Sequence, residues 1–266
     1  MSMTGMLVRL ILRVLAIARR YCASIRQEFV THWVLQRNHV RITSSDTTGT
    51  VREIYHRRFS ISLRQWLLYH QHRIIFSKSS WMGVPMLKNP LDAWVYQELL
   101  YEIQPDIVIE IGSAAGGSTL FLAHLLDIIG KGQVISIDID RSTYHVQHPR
   151  IITITGDSAS PQVVEQVAGL CKNKTVMVIH DGDHHKEQVL KDLALYSPFV
   201  SVGSYFIVED GIVDLFEPLE MMWERRDGPL MAVEEFIKLN PHFQIDLDRE
   251  KYLLTYNPRG YLRRHM

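Results

Sequence analysis

The chain has 266 residues, 46% of them apolar and 22% charged, and its 29 basic and 29 acidic side chains cancel. That suits a soluble enzyme with one α/β domain, a sizeable core and an appendage. Two cysteines, Cys22 and Cys171, lie far apart without C-x-x-C spacing, which suggests neither a disulfide framework nor a zinc site and points to a reducing, cytoplasmic setting.

The zero net charge hides a split. Residues 1–80 hold 13 Lys and Arg against 3 Asp and Glu, whereas residues 81–266 hold 16 against 26. A basic, helical arm (1–80) precedes an acidic body (81–266), and such asymmetry calls for an anionic partner for the arm: a membrane surface, nucleic acid or the acidic body of another subunit. Residues 6–20 read as an amphipathic helix with Arg9, Arg13 and Arg20 on one stripe. The stretch is too short and too charged to span a bilayer, and it lacks the order of a signal peptide. Two readings stay open, a helix in the membrane interface and a helix packed on the body or on a second subunit.

Beyond it, residues 39–50 are polar and turn-rich, with a loop over Ser44–Gly49, and residues 51–70 are basic and partly helical. Residues 79–90 are irregular. A helix starts near Pro90, with Leu91, Trp94, Val95, Leu99 and Leu100 on its apolar face. From Pro105 onward strands alternate with helices. Strands are predicted at 107–111, 133–138, 151–155, 175–180 and 204–208, and helices at 117–129, 161–170, 186–196 and 229–239. This alternation means a parallel sheet covered on both faces. The stretch from Phe243 to Tyr256 has room for two short strands, paired antiparallel at the sheet edge.

Ile107 to Thr119 carries the most chemistry: an apolar β-branched strand, then Glu110 and Gly112, a glycine loop through Gly116 and Gly117, and the start of a helix. Glycines let a ligand approach the backbone, and the helix N-terminus offers unpaired N–H groups. The next strand ends in Asp138, 26 residues after Gly112, placed to accept hydrogen bonds from two ribose hydroxyls. Glu110 and Asp138 around this loop favour a ribose-bearing cofactor, and without a Lys-Ser/Thr pair the loop is no phosphate clamp.

Two acidic clusters follow strand ends: Asp181 and Asp183 after the fourth strand, Glu209 and Asp210 after the fifth. Both should face the crevice at the strands' carboxyl ends. With no Lys or Arg within the clusters, these acids need a cation, and oxygen-only ligands suit Mg²⁺ better than zinc. Taken singly, they also read as loop acids, with Asp181 or Asp183 capping the helix near Lys186. His184 is the candidate base, with His185 and Lys186 as adjacent rivals.

In order, these segments resemble the cephalosporin-hydroxylase-like and rhamnosyl O-methyltransferase family. The matching stretches are Trp81-Met-Gly83, Lys88, Asp92 with Trp94 and Tyr96-Gln-Glu98, Glu110-Ile-Gly112 with Gly116-Gly117, Asp181-x-Asp-His184, Gly203 to Asp210, and Asn257 to Tyr261. Despite the hydroxylase label, the resemblance implies an S-adenosylmethionine- and divalent-metal-dependent O-methyltransferase acting on a sugar hydroxyl of a glycolipid, polysaccharide or glycosylated natural product. It implies a class I methyltransferase fold, a Rossmann-like seven-stranded sheet with an antiparallel last strand. By the same resemblance Asp181, Glu209 and Asp210 hold Mg²⁺ and His184 is the base. Gly112 and its loop (Ser113, Gly116, Gly117 and Ser118) hold the methionine part, Asp138 the ribose, and Asp157 and Ser158 the adenine side, with Glu110 also among the cofactor-binding residues. His180 stands where relatives carry an apolar residue, which puts a second possible ligand beside the metal site. Trp81 and its segment are placed to cover the acceptor. A homo-oligomer with no nucleic-acid role is expected, cytoplasmic or peripheral at the inner membrane face. Two rivals remain: an oxidoreductase with an iron triad of His180, Asp181 and His184, which leaves the glycine loop without a purpose, and a non-catalytic glycan- or membrane-binding module.

Overall fold

The structure, a computed structural model, describes residues 28–40, 47–217, 220–221 and 227–266. The helix read over residues 6–20 lies outside these residues, as does most of the Ser44–Gly49 loop. Among the described residues no helix is long and apolar enough to cross a membrane. The chain divides into two compact units, one of Met1–Ile74 with Leu219–Met222 and one of Ile75–Pro218 with Trp223–Met266.

In the first unit, residues 28–37 are helical, followed by α1 (Val51–Phe59) and α2 (Leu63–His70). Both labelled helices start in capping boxes, Thr50 with Glu53 and Ser62 with Gln65, which satisfy backbone donors at each helix start. The basic excess of this segment is partly answered within the unit, because Arg64 is ion-paired to the buried Glu220.

The second unit opens with a small hairpin, β1 (Ser80–Trp81) and β2 (Val84–Pro85), and α3 (Pro90–Ile103). Then come β3 (Ile107–Ile111), α4 (Gly117–Ile129), β4 (Gln133–Asp138), β5 (Ile151–Thr155), α5 (Pro161–Cys171), β6 (Val176–His180) and α6 (Lys186–Tyr196). The chain ends with β7 (Tyr205–Val208), α7 (Pro229–Leu239), β8 (Phe243–Ile245) and β9 (Tyr261–Arg264). Seven strands form one sheet in the order β5-β4-β3-β6-β7-β9-β8, parallel except for β9, which runs antiparallel to both neighbours. The expected doubly covered sheet is therefore present.

Alternation along the central strands builds two cores. Ile107, Ile109, Val176 and Val178 pack against α5, α6 and α7 through Val167, Val189, Leu193 and Phe236. Val108, Met177, Ile179 and Ile207 pack on the other face against Tyr96 and Leu99 of α3 and Leu122 and Leu126 of α4.

One expectation is corrected. Phe243 to Tyr256 contributes a single strand, and the partner of β8 is β9, further along the chain. Asp246 accepts the Asp248 N–H at 3.2 Å and turns residues 247–250 into a 3-10 helix, so the stretch cannot stay extended. The last strand then enters between β7 and β8 instead of forming a pair at the rim.

Register brings the functional ends together. Ile111 lies opposite both Ile137 and His180, and His180 lies opposite Val208. The residues just after these strands, Gly112, Asp181 and Glu209, therefore emerge along one edge. At Gly112 (φ +83°) an added Cβ would sit 2.0 Å from the Asp181 carbonyl oxygen, so only glycine lets the two loops touch.

Candidate active site

A cavity of about 460 Å³ opens at the carboxyl ends of β3, β4 and β6. Gly112, Ala114, Asp138, Asp157, Ser158, Asp181 and Gln188 line it. Such a crevice is where open α/β sheets bind ligands. Of the residues expected to hold a cofactor, Gly112, Asp138, Asp157 and Ser158 reach this cavity together.

The others support it from behind. Asp138 Oδ2 accepts the Ser113 and Ala114 N–H groups at 2.9 and 2.8 Å, so the second strand's acid shapes the glycine loop as well as facing the cavity. Gly116, in a left-handed conformation, is the N-cap of α4, and a Cβ on Gly117 would meet the Pro85 carbonyl at 2.2 Å. Ser113, Ser118 and Glu110 are buried, and the Thr119 hydroxyl donates to Glu110 Oε2. Glu110 Oε1 has no hydrogen-bond partner, and burial raises this carboxyl's pKa against the opposing charge of Lys88. Tyr196 donates to the Ser158 carbonyl at 2.8 Å and so holds the Asp157–Ser158 turn.

Asp181, His184 and Asp210 form the one group of potential metal ligands found among the described residues, with one atom from each lying within 4.8 Å of the others. His184 Nε2 is 2.9 Å from Asp210 Oδ2 and 3.6 Å from Asp181 Oδ1. Burial opposes charge on this imidazole, but the hydrogen bonds and charges of the two carboxylates outweigh it and raise its pKa to about 10. The rivals for the base sit elsewhere. His185 is bonded to Asp183, and Lys186 is ion-paired to Glu235 of α7 at 2.7 Å. Neither Asp181 nor Asp183 caps α6, whose N-cap residue is His185.

The acidic clusters, which hold no Lys or Arg of their own, receive one from elsewhere in the chain. Lys88, buried ahead of α3, places its ammonium 2.5 Å from Asp181 Oδ2 and 2.6 Å from Glu209 Oε1. In sequence Lys88 stands out only as one of the residues matching the family, without a role, just before the Asn89-Pro90 helix start.

His180 is corrected as well. Its ring points into the core, with Nε2 3.0 Å from the buried Asp192 of α6, and it takes no part in the acidic group. Strand residues alternate faces, so neighbours in sequence diverge in space. An iron triad of His180, Asp181 and His184 is not assembled. Trp81 packs onto α4, donating to His124 Nδ1 at 3.0 Å and meeting the Phe121 ring edge-on.

Asp92 was matched in sequence without a role. Its buried carboxylate accepts from Thr255 Oγ1, Tyr261 OH, Asn89 Nδ2 and the Tyr256 N–H, at 2.6 to 2.9 Å. It thereby ties α3 to the segment carrying Asn257, whose Oδ1 accepts the Asp210 N–H at 3.1 Å. Asp92→Ala leaves four donors without their acceptor and should destabilise the protein by about 3 kcal/mol or more. Urea unfolding measures this, and a loss below about 1 kcal/mol would mean the donors find other partners.

Residues 73–265 match the family model described as Rhamnosyl O-methyltransferase/CmcI. The chain is 32% identical over 223 residues to a rhamnosyl O-methyltransferase of Mycobacterium leprae (strain TN), spanning 81% of this chain and 91% of the relative. It is 28% identical to the rhamnosyl O-methyltransferase of Mycobacterium bovis (strain BCG / Pasteur 1173P2), spanning 80% and 89%. Among solved structures, one of CmcI with Mg and SAM superposes with a TM-score of 0.58 at 23% identity, covering 85% of this chain and 88% of that one, a likeness in fold. The sheet order, the glycine loop and the sequence match agree: the chain belongs to the rhamnosyl O-methyltransferase/CmcI family.

Proposed function

We propose that this O-methyltransferase moves the methyl group of S-adenosylmethionine to a sugar hydroxyl of a glycolipid, polysaccharide or glycosylated natural product, with a divalent cation at the acidic strand ends. One observation carries the reading: Asp181 lines the cofactor-sized cavity and also belongs to the group with His184 and Asp210, so donor and acceptor would meet across it. The donor set suits a hard cation, since carboxylate oxygens dominate it and the Lys88 ammonium already bridges Asp181 and Glu209 as a cation would. Asp181 and Asp210 of that group, joined by Glu209, which lies outside it and is paired with Lys88, would hold the ion, which would supply Lewis-acid lowering of the hydroxyl's pKa.

The chain's own residues do the rest. The Gly112 loop and Asp138 orient the methionine and ribose, and the Asp157–Ser158 turn takes the adenine. His184 Nε2 takes the hydroxyl proton as the O–C bond forms and the C–S bond breaks. A cation held by Asp181 and Asp210 would weaken the charges that keep a proton on this imidazole and so would favour its acting as the base.

Cofactor binding is tested by calorimetry with S-adenosylhomocysteine. Asp138→Ala removes both the ribose acceptor and the anchor of the Ser113 and Ala114 N–H groups, so affinity should fall at least about tenfold. Unchanged affinity in a folded variant would move the cofactor elsewhere.

Residues 6–20, with their arginines and apolar face, would hold the enzyme at an anionic membrane where a lipid-linked acceptor resides. Full-length protein should co-float with anionic vesicles at low salt and detach as salt rises, while protein starting near Ser44 should stay behind. If truncation changes only the oligomeric state, the arm is a subunit contact.

A further inference from the structure

Lys88 and Glu110 are two buried charged side chains that the proposed mechanism leaves without a task. Lys88 Nζ lies between Asp181 and Glu209, two carboxylates the reading above assigns to a divalent cation. While Lys88 holds Asp181 Oδ2 and Glu209 Oε1, a metal ion cannot coordinate through those two oxygens. The backbone around Lys88 is fixed, because the buried Asn89 next to it caps α3 and bonds Asp92 at 2.9 Å. Only the four-carbon stem of Lys88 is free to swing.

Its second position is already present. Glu110 lies on β3 opposite Ile179 of β6, two residues before Asp181, and is fully buried, yet its Oε1 lacks any hydrogen-bond partner. A buried carboxylate oxygen without a donor is costly, and the long-stemmed ammonium of Lys88 is the kind of group that would satisfy it. Glu110 does not line the cofactor cavity, so direct contact with the cofactor does not account for its unpaired oxygen.

We infer that Lys88 is a two-position internal cation: it bridges Asp181 and Glu209 when no metal is bound and moves to Glu110 Oε1 when a divalent cation takes those carboxylates. This rests on the divalent-cation reading above. In the first position Lys88 keeps the acidic strand ends folded without metal. In the second it compensates Glu110 and clears the site. The ion therefore competes with Lys88 and is helped by Glu110.

Calorimetric titration with Mg²⁺ alone, without acceptor or turnover, tests this as a double-mutant cycle. Lys88→Met should bind Mg²⁺ at least tenfold more tightly than wild type and melt at a lower temperature in EDTA. Glu110→Gln, nearly the same shape, should bind Mg²⁺ several-fold more weakly and melt no lower than wild type in EDTA. In the Lys88→Met background, Glu110→Gln should have no further effect, which a purely structural or long-range electrostatic role for Glu110 would not give. Unchanged or weaker binding by Lys88→Met, or a Glu110→Gln effect that persists without Lys88, overturns the inference. If Lys88→Met does not fold, Glu110→Gln alone decides: weaker binding supports the second position, and unchanged binding overturns it. If neither wild type nor Lys88→Met binds Mg²⁺, the divalent-cation reading fails as well. Binding by wild type without this pattern sinks only the two-position role.

Discussion

Asp181→Asn is expected to lower kcat by about a thousandfold or more while S-adenosylhomocysteine affinity stays within about threefold of wild type. Asp181 belongs to both halves of the site. One oxygen meets Lys88 and the other faces His184, while the residue also borders the cofactor cavity. Removing its charge takes away an acid on which the cation and the base both depend. If that withdraws about 4 kcal/mol of Lewis-acid stabilisation, the rate falls about a thousandfold. Cofactor affinity should survive because the Gly112 loop packs on the Asp181 backbone, which asparagine preserves. Asp183 provides the comparison: it also lines the cavity, but it is exposed and bonded to His185 rather than to Lys88 or His184, so Asp183→Asn should keep kcat within about twofold. Steady-state kinetics with and without Mg²⁺ checks both, and near-normal turnover by Asp181→Asn would leave this acid a loop residue.

His184→Gln should reduce kcat by a factor of about 10² to 10⁴, the range for losing a general base. Its effect should fall on kcat far more than on KM, because the imidazole faces Asp181 and Asp210 and does not line the cofactor cavity. The geometry separates it from its neighbours. His185 is tied to Asp183 and Lys186 to Glu235, so His185→Gln and Lys186→Met should each stay within about threefold of wild type. Should His185→Gln lose activity while His184→Gln keeps it, the proton goes elsewhere.

Much of the fold was legible in sequence because its signals are local. The β3–glycine loop–α4 unit reads from an apolar run, glycines and helical periodicity within residues 107–129, and the structure matches it to the residue at both ends. The last strand was misplaced because its pairing is long-range. Tyr261–Arg264 carries little strand signal of its own and is ordered by β7 and β8 on its two sides. The acids at the strand ends were legible from position alone, whereas their partners were not. Lys88 reaches Asp181 across 93 residues and Glu209 across 121, and no spacing rule marks such an ion pair. His180 was drawn toward the metal site by its place beside Asp181, but the alternation of a strand turns it to Asp192 instead.

The most direct measurement is methyl transfer itself. Full-length protein is incubated with methyl-labelled S-adenosylmethionine and a rhamnose-bearing glycolipid, in Mg²⁺ or in EDTA, and the lipid is analysed by mass spectrometry. The prediction is a labelled methyl ether on a sugar hydroxyl in Mg²⁺, lost in EDTA, restored by adding Mg²⁺ back and absent with Asp181→Asn. Full transfer in EDTA, or label appearing on a group other than a hydroxyl oxygen, would contradict a metal-assisted sugar O-methyltransferase built on Asp181, Glu209, Asp210 and His184.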